Sequence, residues 1–150
     1  MTYAEREIEN LIYHYAELID AGDLSAVAEL FRHACIIAPD GGEVRGFDAV
    51  LAMYQQSTRI YPETGTPCTQ HLTSNVQIEL AADATTAASR SCFTVFQSVA
   101  DFPLQAIISG RYVDHFECVA GSWRFSRRQM LPQLFGDLSH HLLFDPATIR

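Results

Sequence analysis

Tyr15, Asp20 and His71 are the side chains of this 150-residue sequence whose chemistry and placement suit proton transfer. His71 lies in CTQHLTSNVQIEL, residues 68–80, where polar and apolar residues alternate. Alternation at period two puts successive side chains on opposite faces of a strand. His71, Thr73 and Asn75 therefore share one face, and Leu72, Val76, Ile78 and Leu80 the other. The polar face either meets water or lines a pocket. Imidazole titrates near neutral pH, so a partly buried one is suited to carrying a proton. Tyr15 lies on the apolar stripe of an N-terminal helix, either as a core aromatic or as a hydroxyl with a further use. Asp20 falls one residue past the last stripe position, at a helix C-terminus. The macrodipole gives a carboxylate no help there, which leaves room for another purpose.

The remaining candidates weigh less. His14 is off the helix stripe, His33 sits at a helix–strand junction, and His115 shares parity with Arg111 and Glu117. The adjacent His140 and His141, with Asp145, make a poor preformed metal site, since three or four converging ligands are wanted. No metal or cofactor is expected. Asp114 is the odd member of the otherwise apolar row that includes Ile108, Tyr112, Phe116 and Cys118. Its expected role is a buried carboxylate paired with Arg127 or Arg128 on the next strand. P-loop, GxGxxG, HExxH and GxSxG motifs are absent, which removes the common nucleotide, zinc-protease and hydrolase readings.

The elements that must position these residues follow from periodicity. Residues 4–19 carry Ile8, Leu11, Ile12, Tyr15 and Ile19 at helical spacing, ending near Gly22. Asp23 caps a short second helix with Leu24, Val27, Leu30 and Phe31 inward. HACIIAP and EVRG read as two short strands around DGG, and Phe47, Val50, Leu51 and Tyr54 mark a third helix. After the loop YPETGTP come four long strands at 69–80, 86–99, 104–119 and 123–131, joined by short turns into an antiparallel meander. Helices first and strands later indicate one α+β domain, residues 1–150, with helices on one face of a sheet. An apolar tail, 133–150, covers either its own pocket or a neighbouring subunit.

Apolar content of 48% and charged content of 19% suit a folded domain with a sizeable core. A formal net charge of −8, with scattered Lys and Arg, argues against nucleic acid as a partner. The charged start MTYAEREIEN lacks the apolar run of a secretory signal, and no stretch approaches the roughly 20 apolar residues of a membrane span. Cys35, Cys68, Cys92 and Cys118 form no CxxC and read as reduced, core-filling thiols. A cytoplasmic protein is expected.

Three segments together carry a family resemblance: YAELIDAGDLSAVAELF, the strand start QHLTSN, and the hairpin GRYVDHF…GSWRFSRRQM followed by GDLS. Over about residues 8–138 the chain resembles SnoaL-like proteins of the nuclear transport factor 2-like superfamily. The fold this implies is a cone-shaped, strongly curved antiparallel sheet wrapped against N-terminal helices, with an internal pocket. Within the superfamily the chain is most similar to the scytalone dehydratase and bile-acid 7α-dehydratase branch. There a first-helix tyrosine and a histidine at this strand start act on substrate, and an acidic residue supports the histidine. The resemblance places Tyr15, His71 and Asp20 in those roles. The following strand, SCFTVFQS, has neither the second histidine of scytalone dehydratase nor the acidic residue of the bile-acid enzymes.

The expected function is a cofactor-independent lyase or isomerase acting on a small cyclic, largely apolar ketone or hydroxyketone. His71 removes a proton next to the carbonyl, Tyr15 donates to the developing enolate, and Asp20 fixes the imidazole tautomer. Tyr54, Phe93, Phe96, Tyr112 and Trp123 are the expected pocket walls. The rival readings are a non-catalytic ligand-binding or assembly module of the same fold and a polyketide-cyclase-like enzyme, because fold alone does not choose. Oligomerisation is expected, since apolar outer sheet faces need cover, and the resemblance implies a homodimer or homotrimer.

Overall fold

The computed structural model describes residues 1–149. Helix α1 (Tyr3–Asp20) begins at a capping box, in which Thr2 Oγ1 accepts from the Glu5 N–H and the Glu5 carboxylate from the Thr2 N–H. Its buried stripe is Ile8, Ile12, Tyr15, Ala16 and Ile19. Asp23 accepts from the Ala26 N–H to cap α2 (Leu24–Leu30), which buries Leu24, Val27 and Ala28. Between the two helices Gly22 has φ +75°, and a Cβ there would stand 2.3 Å from the Gly65 carbonyl oxygen. That close approach ties the end of α1 to the loop leading into the first long strand. It is one reason Asp20 lies beside His71.

Strands β1 (Cys35–Ile37) and β2 (Glu43–Arg45) form the expected hairpin, and α3 (Gly46–Ser57) buries Val50 and Tyr54. The long strands are β3 (Thr69–Leu80), β4 (Thr86–Val99), β5 (Phe102–Val119) and β6 (Ser122–Phe135). They make the expected meander within a six-stranded sheet ordered β2-β1-β6-β5-β4-β3. The sheet is not purely antiparallel, however. β1 runs parallel to β6, with Ile36 opposite Arg128, so the sheet is mixed, and β2 and β3 are its two edge strands. The last strand also runs further than expected. Pro132, which has no N–H for the ladder, sits where the β5–β6 register shifts, and pairing resumes at Leu134 and Phe135. There the backbones are so close that a Cβ on Gly110 would meet the Leu131 oxygen at 2.3 Å.

The helices pack on one face of the sheet through a core that joins Ile8, Ile12, Val27 and Phe31 to Phe93, Val95, Ile107, Phe116 and Phe125. Phe31 stacks on Phe125 at 4.9 Å between ring centroids. All four cysteines are free. Among the described residues, no helix is long and apolar enough to cross a membrane.

One irregularity reorders the face that carries His71. Two residues of β3, Asn75 and Val76, oppose the single residue Ser91 of β4, and Asn75 adopts φ +54°. This β-bulge flips the alternation. Before it, His71 and Thr73 are the more buried residues and Leu72 is 53% exposed. After it, Val76, Ile78 and Leu80 pack on the core, while Asn75 is exposed. Asparagine tolerates the left-handed region better than most residues, so Asn75 serves the bend and not the face of His71.

Candidate active site

A cavity of about 440 Å³ lies between the helices and the sheet, closed at one side by the C-terminal tail. Tyr15 and Ile19 of α1, Met53 and Tyr54 of α3, His71, Phe93 and Val95, Ile108 and Tyr112, and Met130 form its walls, with Leu138, His141 and Leu142 from the tail. Its size and mostly apolar lining suit a small organic ligand. The tail therefore covers the pocket of its own chain.

Asp20 and His71 form a built pair. His71 Nδ1 lies 2.6 Å from Asp20 Oδ1, the His71 backbone N–H donates to Oδ2 at 2.7 Å, and Thr69 Oγ1 donates to Oδ1 at 2.9 Å. These donors replace what the helix C-terminus withholds from the carboxylate. A carboxylate facing Nδ1 keeps the proton on that nitrogen of the neutral ring, which leaves Nε2 as the acceptor. The His71 side chain is only 9% exposed, so this acceptor works in a largely water-free setting.

Tyr15 joins a different group. Its hydroxyl lies 2.6 Å from that of Tyr54, while its ring meets the His71 ring edge-on at 6.5 Å. Tyr15 and His71 thus line one cavity, with Asp20 held against His71, and of the three only Asp20 and His71 are hydrogen-bonded to each other. Burial pushes the Tyr15 hydroxyl pKa up, partly offset by Arg128, and pushes Tyr54 and Tyr112 well up. All three stay protonated. In the Tyr15–Tyr54 pair one proton is spent between the two oxygens, so the other remains to donate to a ligand.

Behind these rings, Arg128 and Asp114 are both fully buried and joined through Nε–Oδ1 and Nη2–Oδ2, each at 2.8 Å. Of the two arginine partners expected for Asp114, Arg128 is the one used. Its guanidinium lies 3.8 Å from the Tyr112 ring centroid and 4.3 Å from that of Tyr15. Burial alone would lower the Arg128 pKa, but the charge and hydrogen bonds of Asp114 raise it, so the cation persists under the tyrosines.

Three expected pocket walls are present: Tyr54, Phe93 and Tyr112, the last two stacked at 4.5 Å. Phe96 and Trp123 are not among them. The register shift beside Phe96 places its extra residue, Ile107, in β5 and not in β4, so Phe93 and Phe96 keep opposite faces. Trp123 is buried in the core at the far end of β6, seven residues before Met130, or roughly 23 Å along the strand.

His141, weighed from sequence only as half of a poor metal site, is a cavity residue. It is 9% exposed, lines the cavity, and its buried Nδ1 has no hydrogen-bond partner among the described residues. Burial, then proximity to His71, lowers its pKa to about 4, against a smaller raising effect of Asp20. His140 turns away and stacks on Phe102 at 4.2 Å, so the adjacent pair diverges.

A family model described as a SnoaL-like domain matches residues 2–129. No curated protein matches the chain in sequence. Among solved structures, a candidate scytalone dehydratase from Novosphingobium aromaticivorans is 23% identical with a TM-score of 0.70, covering 89% of this chain and 86% of its own. An NTF2-like protein with a cystatin-like fold from the same organism is 21% identical with a TM-score of 0.70, over 84% of this chain and 79% of its own. The β subunit of a candidate aromatic-ring-hydroxylating dioxygenase, also from that organism, is 18% identical with a TM-score of 0.67, over 92% and 95%. At these identities the likeness establishes the fold, and the family match extends over most of the sequence. The chain belongs to the SnoaL-like family, with the NTF2-like, cystatin-like fold.

Proposed function

We propose that this protein is a cofactor-independent lyase (dehydratase) or isomerase that removes a proton next to a carbonyl on a small cyclic, largely apolar substrate. The observation that carries this reading is the Asp20–His71 pair, set in an apolar cavity beside two protonated tyrosine hydroxyls. His71 Nε2 takes the α-proton, and the C–H electrons pass into an enolate. Tyr15, accepting from Tyr54, donates its own proton to the enolate oxygen. Arg128 behind the rings lowers the Tyr15 pKa and so makes that hydroxyl a better donor, and Asp20 stabilises the imidazolium. Where the β-carbon bears a hydroxyl, the C–O bond breaks as the imidazolium Nε2–H returns its proton, releasing water and a conjugated enone. A positioned general base is worth about 10²–10⁴ in rate, and one oxyanion donor about 10²–10³.

The likeness to a candidate scytalone dehydratase supports the lyase branch. A direct test offers the protein 3-hydroxy-1-tetralone, whose dehydration product tautomerises to fluorescent 1-naphthol. Naphthol formation above the buffer rate, reduced about 10²-fold in Tyr15→Phe with an unchanged circular dichroism spectrum, is the expected result. A rate equal to buffer removes the dehydratase branch. Unfolding of Tyr15→Phe would return Tyr15 to a purely structural role.

A further inference from the structure

The cavity has a second imidazole that the mechanism above does not use. His141 faces it from the tail, on a segment fixed by backbone bonds on both sides. The His141 carbonyl accepts from the Arg59 N–H at 2.8 Å, and the Leu143 N–H donates to the Ser57 carbonyl at 3.0 Å. Gln97 Nε2 holds the His140 carbonyl at 3.0 Å. On a backbone held this firmly, the side chain keeps a buried nitrogen with no partner among the described residues, which is an unmet desolvation cost. Such a cost is sensible where a ligand supplies the missing bond.

The chemistry of that ligand group follows from the surroundings. Among the described residues no lysine or arginine lines the cavity, the Asp40 carboxylate does, and Arg128 is committed to Asp114 behind the tyrosines. A carboxylate or phosphate would therefore find no countercharge. A neutral imidazole offers one N–H and one acceptor nitrogen, a set that matches a hydroxyl, which both donates and accepts. The carbonyl end of a substrate is already served by the Tyr15–Tyr54 pair.

We infer that His141 is a specificity-determining residue that binds a hydroxyl group of the substrate, so that the site selects cyclic hydroxyketones over the corresponding ketones. This rests on the proposed reading of the site and narrows its substrate class. His141 touches substrate but transfers no proton. The hydroxyl it binds is presented for departure with the proton that His71 returns.

The test separates binding from turnover by working in a His71→Gln background, which leaves the hydroxyketone unconsumed. Affinities for 1-tetralone and 3-hydroxy-1-tetralone are measured by calorimetric titration. The expected result is a hydroxyl preference of about 3- to 10-fold, the worth of one hydrogen bond. Adding His141→Phe should reduce that preference to about 1, and adding His141→Asn should restore part of it. A preference unchanged by His141→Phe overturns the inference, as does no preference, or no binding of either compound at millimolar concentration. A wild-type protein that shows the preference but forms no naphthol would refute dehydration while leaving the role of His141 intact.

Discussion

The buried His141 should make the protein acid-sensitive in a measurable way. In the unfolded chain its imidazole titrates near 6.5, and in the folded protein its pKa falls to about 4, mainly through burial. A base whose folded pKa is depressed binds its proton more readily when unfolded. Its contribution to stability is complete above pH 6.5 and is lost as the pH falls toward 4. The difference of about 2.5 units, at about 1.4 kcal/mol each, gives a loss of roughly 3 kcal/mol across that window. His141→Phe removes the titration while filling the same apolar space. Urea denaturation at pH steps from 7.5 to 4 should show wild-type stability falling about 3 kcal/mol further than that of the variant. Parallel curves for the two proteins would mean that the histidine is not buried in its neutral form.

Other changes probe the parts that support the site. Asp20→Asn keeps the shape of the carboxylate but offers an N–H toward His71 Nδ1, which favours the wrong tautomer. Turnover of 3-hydroxy-1-tetralone should fall about 10²–10⁴-fold with little change in melting temperature. Asp114→Asn leaves the fully buried Arg128 without its countercharge and should cost about 3–5 kcal/mol in urea denaturation. Gly110→Ala drives a methyl group into the Leu131 carbonyl oxygen and should destabilise by at least about 1–3 kcal/mol, read as a lower denaturation midpoint.

Much of the fold was legible because hydrophobic period and end signals agreed. The stripe Ile8, Ile12, Tyr15, Ile19 and the caps at Thr2 and Asp23 specify the first two helices, and Asp23 is visible as a cap from sequence. The long strands followed from alternation and short turns. Alternation failed where one strand holds an extra residue. The bulge at Asn75 and Val76 put Asn75 outside the face of His71 and left Leu72 exposed. The parallel docking of β1 on β6 joins segments more than eighty residues apart, and no local pattern encodes it. The Asp20–His71 contact was reached through the family resemblance and the misfit of a carboxylate at a helix end. His141 had no such signal, since its tail segment has no period and reaches the cavity through bonds to residues 57–59. The apolar Leu138 and Leu142 flanking the His140–His141 pair were the one hint that this stretch is buried.

In the proposed reaction His71, held by Asp20, removes a proton next to a carbonyl. Deuterium uptake at C2 of 1-tetralone in D₂O, followed by proton NMR, measures that step without any need for a leaving group. The wild-type protein should accelerate exchange well above buffer, and His71→Gln should slow it about 10²–10⁴-fold. Exchange at the same rate in both proteins, or no acceleration by either, would show that His71 is not the base.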